Sequence, residues 1–250
     1  MTNNNLSVNL VEIFSSIQGE GLFVGCRQVF VRLAGCNLSC RYCDTRESFA
    51  APAAARVETE PGSREFHSLA NPVGGFGLRD AVANLCRSQH HSVSLTGGEP
   101  LLQPQAVSIL SPLRRQGVRL YLETNGTLPG ILRQTIQDID IVSMDFKLPS
   151  DLAGQNFWRE HAEFLQVASQ REVFVKIVLS NDTKQDEMKQ AIQLIADVNT
   201  SIPLILQPVT PINGVLPIHP DHVLRWQDFA LTKLRDVRVI PQTHKIMGQL

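Results

Sequence analysis

Seven short runs of aliphatic and β-branched residues recur along the chain, and stretches of helical spacing separate them. The runs are QVFVRL (28–33), SVSL (92–95), VRLYLE (118–123), IVSMD (141–145), VFVKIVL (173–179), PLILQ (203–207) and VRVI (237–240). Helical spacing falls at about 78–89, 104–116, 129–137, 155–169, 184–199 and 220–234. Strands separated by helices pair in parallel, so this order predicts βαβ units and an α/β fold around a parallel sheet. A full barrel and an open sheet both satisfy it. The 250 residues are enough for one sizeable core, and no linker, repeat or second domain interrupts the order. Only 50–77, AAPAAARVETEPGSREFHSLANPVGGFG, breaks the rhythm. It is rich in Ala, Pro, Gly and Ser without useful periodicity, and reads as a long irregular insertion.

Polar signatures stand where the runs end: AGC after 28–33, TGGEP after 92–95, ETNG after 118–122, DFK after 141–144 and QP after 203–206. In parallel α/β folds ligands bind at the carboxyl ends of the strands, where the loops converge. Five such endings on one edge describe a site.

Composition removes other classes. Apolar residues make up 43% and the formal net charge is −1, which gives no electrostatic reason to capture nucleic acid or an anionic membrane. No apolar run reaches transmembrane length. The start, MTNNNLSVNL, lacks the basic and apolar regions of an export signal, so a cytoplasmic location with reduced thiols is expected. Five cysteines are too few for a disulfide scaffold, and the number is odd. Cys26 and Cys86 stand alone and read as small buried hydrophobes.

The other three crowd into GCNLSCRYCDT, with Cys36, Cys40 and Cys43 spaced C-x₃-C-x₂-C. So tight a loop wraps three thiolates around one compact inorganic core. Zinc takes the same sulfurs but needs a fourth ligand, for which only His67, His90 or His91 offer themselves through the fold. A [4Fe–4S] cluster can be held by three thiolates with one iron left open.

C-x₃-C-x₂-C together with TGGEP resembles the radical S-adenosylmethionine (SAM) superfamily. The resemblance implies a partial, modified TIM-like (β/α)6 barrel, with SAM chelated to the open iron and cleaved there to a radical. It also implies cofactor contacts from Tyr42, Asp44, Gly97, Gly98, Glu99, Glu123, Thr124, Asn125, Ser143, Asp145, Lys147 and Gln207. Glu99 accepts from the SAM ammonium in that reading, and Lys147 meets its carboxylate. The plainer alternative for TGGEP is a tight turn, and for Lys147 a solvated lysine at a loop start.

Further residues narrow the resemblance. IFSSIQGEG (13–21) precedes the cysteines, Arg32 stands four residues before Cys36, Asp44 and Thr45 follow Cys43, and the chain ends PQTHKIMGQL. Together these are similar to the 7-carboxy-7-deazaguanine synthase family. That likeness implies a lyase in queuosine-type nucleoside biosynthesis, acting on 6-carboxy-5,6,7,8-tetrahydropterin with loss of ammonia and recycling of SAM. It implies substrate contacts from Ile17, Gln18, Gly19, Glu20, Arg32, Thr96, Gln242, His244 and the terminal Leu250, and Mg²⁺ on the Thr45 hydroxyl. It further implies a homodimer and a small flavodoxin-like electron donor.

Arg32 shares a strand face with Gln28 and Phe30, opposite Val29, Val31 and Leu33, so it can point into a barrel mouth. The plainer alternatives are an ordinary ion pair for Arg32 and a strand-to-turn connection for 18–20. For Thr45 the alternative is a turn or helix cap, and for His244 a core histidine. A glycyl-radical activating enzyme is the rival activity, and a zinc-binding interaction module the rival of another class.

Overall fold

A computed structural model describes residues 6–86 and 89–249. In chain order the strands are β1 (Ser7–Val8), β2 (Leu10–Ile17), β3 (Arg27–Leu33), β4 (Ala54–Glu58), β5 (Phe66–Ala70), β6 (Val73–Gly74), β7 (Ser92–Gly97), β8 (Leu120–Thr124), β9 (Ile141–Asp145), β10 (Glu172–Leu179), β11 (Leu204–Pro208) and β12 (Val237–Val239). The helices are α1 (Gly75–Leu85), α2 (Gln105–Leu110), α3 (Pro129–Thr135), α4 (Trp158–Ala168), α5 (Gln185–Val198), α6 (Pro220–Leu231) and α7 (Thr243–Met247).

Each of the seven runs is a strand, and these strands lie side by side and parallel in the order β3, β7, β8, β9, β10, β11, β12. Beyond β3 the sheet continues through antiparallel β2, then β4 parallel to β2, then antiparallel β5. Among the described residues β5 and β12 remain edges, so the α/β barrel is open. No helix among them is long and apolar enough to cross a membrane.

Alternation along the strands separates two faces. Val29, Val31 and Leu33 of β3 pack with Val93, Leu95, Leu120 and Leu122 in the core beneath the helices. Phe30 and Arg32 face the other way, as their parity predicts. Helix α5 buries Met188, Ala191, Ile192 and Ile195, the one-sided stripe of a surface helix. The helical stretch at 104–116 divides, because Pro112 has no N–H to continue an α-helix past Leu110, and 111–116 winds on as a 3₁₀ helix. The end of the 78–89 stretch, 87 and 88, lies outside the described residues.

The stretch 50–77 is not irregular. It contains the β4–β5 hairpin, with Ala55 and Val57 buried and Ala54 and Arg56 exposed. Alanine fills the inward position 55 as well as the outward position 54, and the charged Glu58 is buried, which hid the alternation. β2, also without a prediction, runs LVEIFSSI with serines at two buried positions, and its period is equally blurred.

Candidate active site

The inner sheet face surrounds a cavity. Its floor is apolar: Tyr121, Ile141, Phe174 and Ile205 pack with Leu22, Phe23 and Ile240. One step further along the same strands the side chains turn polar, with Glu123, Ser143, Lys176 and Gln207 lining the cavity. The loops after the strands complete it, as the polar signatures predicted.

The cysteine loop forms one wall, where Cys36, Cys40 and Cys43 all line the cavity as half-buried free thiols. Burial pushes the Cys36 thiol up, and that of Cys40 to about 11. Such thiols become thiolates readily only when a thiophilic cation replaces the proton. The loop is anchored from behind: Asn125 Nδ2 donates to Asn37 Oδ1 at 2.9 Å, and Asn37 Nδ2 to Thr127 Oγ1 at 2.8 Å. The histidines a zinc site needs are elsewhere. His67 lies on the β5 edge strand, His91 stacks on Phe23 beyond the opposite end of β7, and His90 bonds Ser15. Among the described residues no group of three or more His, Cys, Asp or Glu side chains is set to hold a single metal ion.

Of the expected cofactor contacts, Tyr42, Asp44, Gly97, Gly98, Glu123, Thr124, Asn125, Ser143, Asp145, Lys147 and Gln207 line the cavity. Glu99 does not. It is fully buried, and its carboxylate accepts from Leu101 N (3.0 Å), Thr124 Oγ1 (2.8 Å) and Asn125 N (2.8 Å). Pro100 turns the chain so that Glu99 caps its own 3₁₀ turn and braces the next loop. Gly97 has φ +117°, and a Cβ there would lie 2.2 Å from Leu33 O, so only glycine lets β7 end against β3. Lys147 is not solvated: its Nζ lies 2.8 Å from Asp145 Oδ2 and 3.3 Å from Tyr42 OH. Asp145 Oδ1 and Gln207 Oε1 are buried in this wall without a hydrogen-bond partner, two acceptors left unsatisfied by the protein.

The opposite wall is the loop after β2. Ile17, Gln18, Gly19 and Glu20 line the cavity together with Arg32, Thr96, Gln242 and His244. Glu20 bonds Lys176 through one carboxylate oxygen and Gln242 Nε2 through the other, at 2.7 Å. Burial raises the Glu20 carboxyl, but the Lys176 ammonium and the Gln242 hydrogen bond together outweigh it and hold the group below its usual range. Gln242 also reaches Asp44 at 3.0 Å, and Lys245 pairs with Asp44 at 2.8 Å. The C-terminal segment thus spans both walls. Gly19 permits this, because a Cβ there would lie 2.3 Å from His244 Nδ1. His244 is no core histidine; it sits in the half-exposed segment at the cavity rim.

Arg32 lines the cavity while its Nε pairs with Glu12 at 3.0 Å. Thr45 precedes a 3₁₀ turn, and its backbone oxygen accepts from Ser48 N, but its hydroxyl makes no capping bond and the residue lines the cavity. Leu250 lies outside the described residues. The sequence reading overlooked Lys176 and Lys245. Lys176 had left a signal, a lysine at an inward position of an otherwise apolar run, VFVKIVL.

A family model of the radical SAM superfamily matches residues 31–195. A 7-carboxy-7-deazaguanine synthase of Geobacter sulfurreducens is 44% identical, with 96% of this chain and 97% of that protein covered. Another of the same name from Methanopyrus kandleri is 35% identical, covering 96% and 93%. The crystal structure of QueE from Escherichia coli shares the fold with a TM-score of 0.61 at 18% identity, over 94% of both chains. A radical SAM methyltransferase from Sphaerobacter thermophilus shares it with a TM-score of 0.58 at 13% identity, over 86% of this chain and 66% of that one. The chain therefore belongs to the radical SAM superfamily and, within it, to the 7-carboxy-7-deazaguanine synthase family.

Proposed function

We propose that this chain is a lyase that converts 6-carboxy-5,6,7,8-tetrahydropterin to 7-carboxy-7-deazaguanine with loss of ammonia. The observation that carries the reading is one cavity in which the cysteine loop faces Glu20 and Arg32, with Gln242 and His244 drawn in from the far end of the chain. A rival that activates glycyl radicals has no use for that second wall.

The cofactor fits the residues present. Cys36, Cys40 and Cys43 would hold a [4Fe–4S] cluster, and SAM, rich in ammonium and hydroxyl donors, suits the unpartnered acceptors of Asp145 and Gln207. Bound there, cluster and SAM supply the radical that starts the reaction. The chain's own residues do the rest. Glu20 accepts N–H donors from the aminopyrimidinone edge of the substrate. The backbone carbonyl of Gln18 accepts from Gly25 N at 2.9 Å, while the Glu20 carboxylate, with two oxygens at the cavity wall, offers the charged acceptor on this side. Arg32, oriented by Glu12, presents its planar fork to the substrate carboxylate. The apolar floor of Tyr121 and Phe174 keeps water from beneath the ring. Mg²⁺ on the Thr45 hydroxyl would complete its shell with water and the substrate carboxylate, in keeping with its demand for hard oxygens. The reading extends to a homodimer reduced by a small electron-transfer protein in the cytoplasm.

Protein reconstituted anaerobically with iron and sulfide, then given SAM, reductant, Mg²⁺ and the carboxytetrahydropterin, is expected to form 7-carboxy-7-deazaguanine while SAM is conserved. Stoichiometric loss of SAM without a deazapurine overturns the proposal. Thr45→Ala is expected to weaken the response of the rate to Mg²⁺ at unchanged iron content; an unaltered Mg²⁺ titration removes Thr45 from the site.

A further inference from the structure

Lys176 is the least expected group in the cavity wall. It occupies an inward position of β10 between Phe174 and Val178, where an apolar side chain would pack. Its side chain is only 12% exposed. An ammonium in such a place is costly unless paired, so its retention calls for a use. Its Nζ bonds Glu20 from the loop after β2 and lies 3.3 Å from Asp145 Oδ2 at the end of β9. One cation thus joins the acid of the substrate wall to the acid of the cofactor wall.

We infer that Lys176 is a positioning residue for the substrate, holding the Glu20 carboxylate charged and turned into the cavity. This rests on the reading of Glu20 as the acceptor of the substrate's N–H donors. With Lys176 on one oxygen and Gln242 on the other, the carboxylate cannot rotate, and each oxygen keeps a lone pair for a further donor. The other charged groups facing Glu20 are mixed. Asp44 approaches from the cysteine loop, Asp145 from β9 and Glu123 from β8 across Gln18, while Lys245 and His244 come from the C-terminal segment. Lys245 is committed to Asp44. Without Lys176, burial and the nearby acids favour protonation of Glu20, which turns one acceptor into a donor and spoils recognition.

The test is a double-mutant cycle on reconstituted enzyme with SAM, reading the Kd for the carboxytetrahydropterin by anaerobic calorimetry at pH 6 and pH 8. Glu20→Gln and Lys176→Met are each expected to weaken binding about 10- to 100-fold, the scale of a charged hydrogen bond. The double variant should bind no worse than Glu20→Gln, within about twofold. Lys176→Met alone should bind more weakly at pH 6 than at pH 8, whereas the wild type and both Glu20→Gln proteins stay flat. Additive losses, or wild-type binding by Lys176→Met while Glu20→Gln is impaired, overturn the inference. Normal binding by Glu20→Gln overturns the substrate reading of Glu20 instead. If Lys176→Met fails to fold, Lys176→Met/Asp145→Asn removes the cation together with one of its acids. The same pH dependence is expected there, and its absence counts against Lys176.

Discussion

At Gly19 a single methyl group would decide the shape of the site. Its added carbon would fall 2.3 Å from His244 Nδ1 and 2.5 Å from His244 N, a backbone atom that cannot swing aside. Gly19→Ala is therefore expected to push Gln242 and His244 off the opposite wall. Misplacement on the scale of 1 Å costs about 100-fold in kcat/KM, to be read in a steady-state assay, while iron content and circular dichroism stay at wild-type levels. Wild-type kinetics would show that the C-terminal contacts do not matter to turnover. Glu99 teaches the converse lesson. Its place in TGGEP was plain from the sequence, yet its side chain is a brace inside the protein, fully buried on two backbone N–H donors and the Thr124 hydroxyl rather than turned into the cavity.

Among the elements, the β4–β5 hairpin and α7 depend on each other. Glu58, 2% exposed, accepts from Ser15 N of β2 at 2.8 Å and from Arg64 N of the hairpin loop at 2.9 Å. Arg64 Nη2 in turn donates to Gly248 O at 2.7 Å. Helix α7 buries no residue, so polar contacts such as these, with Thr243 N on Gly19 O at 2.9 Å, hold it down. Glu58→Ala leaves the buried Ser15 N without a partner and frees Arg64 N, and should cost about 1–3 kcal/mol in a urea melt; a change within error would mean that the Glu58 bonds do not tie the hairpin to β2. Arg64→Ala removes an exposed contact and should leave the melting temperature nearly unaltered while raising the substrate KM a few-fold. An unchanged KM would separate the hairpin from the site.

For the whole molecule, the charges buried around the cavity set a pH dependence. Asp151 is 2% exposed, its Oδ2 has no partner, and burial pushes its carboxyl from an ordinary 3.8 to about 7. The groups around it are Lys147, Asp145, Glu187 and Arg41. A folded pKa above the unfolded one means that stability falls as pH rises between those values, and the full penalty applies above about pH 7. It amounts to roughly 4 kcal/mol at most. Asp151→Asn is expected to raise the urea midpoint of the apoprotein at pH 8.5, with a smaller gain at pH 5. An equal gain at both would assign the effect to packing rather than charge.

The parallel α/β order, the strand-end site and the cysteine loop were readable in the sequence because each depends on neighbours within a few residues: a period, a turn, a C-x₃-C-x₂-C spacing. Arg32 was placed correctly on an inward face by parity alone. The hairpin at 54–70 was not readable, since β4 buries Ala55 and the charged Glu58 beside Val57 and β5 buries no residue, so no alternation marks a face. Nor was the pairing of Glu20 with Lys176, 156 residues apart, or of Gln242 with Asp44. Strand alternation says that a side chain points inward, but which inward side chain meets it is settled only when separate strands and both chain ends are brought together. For this protein that closure determines the electrostatics of the cavity, because burial makes every charge there depend on the partner it finds.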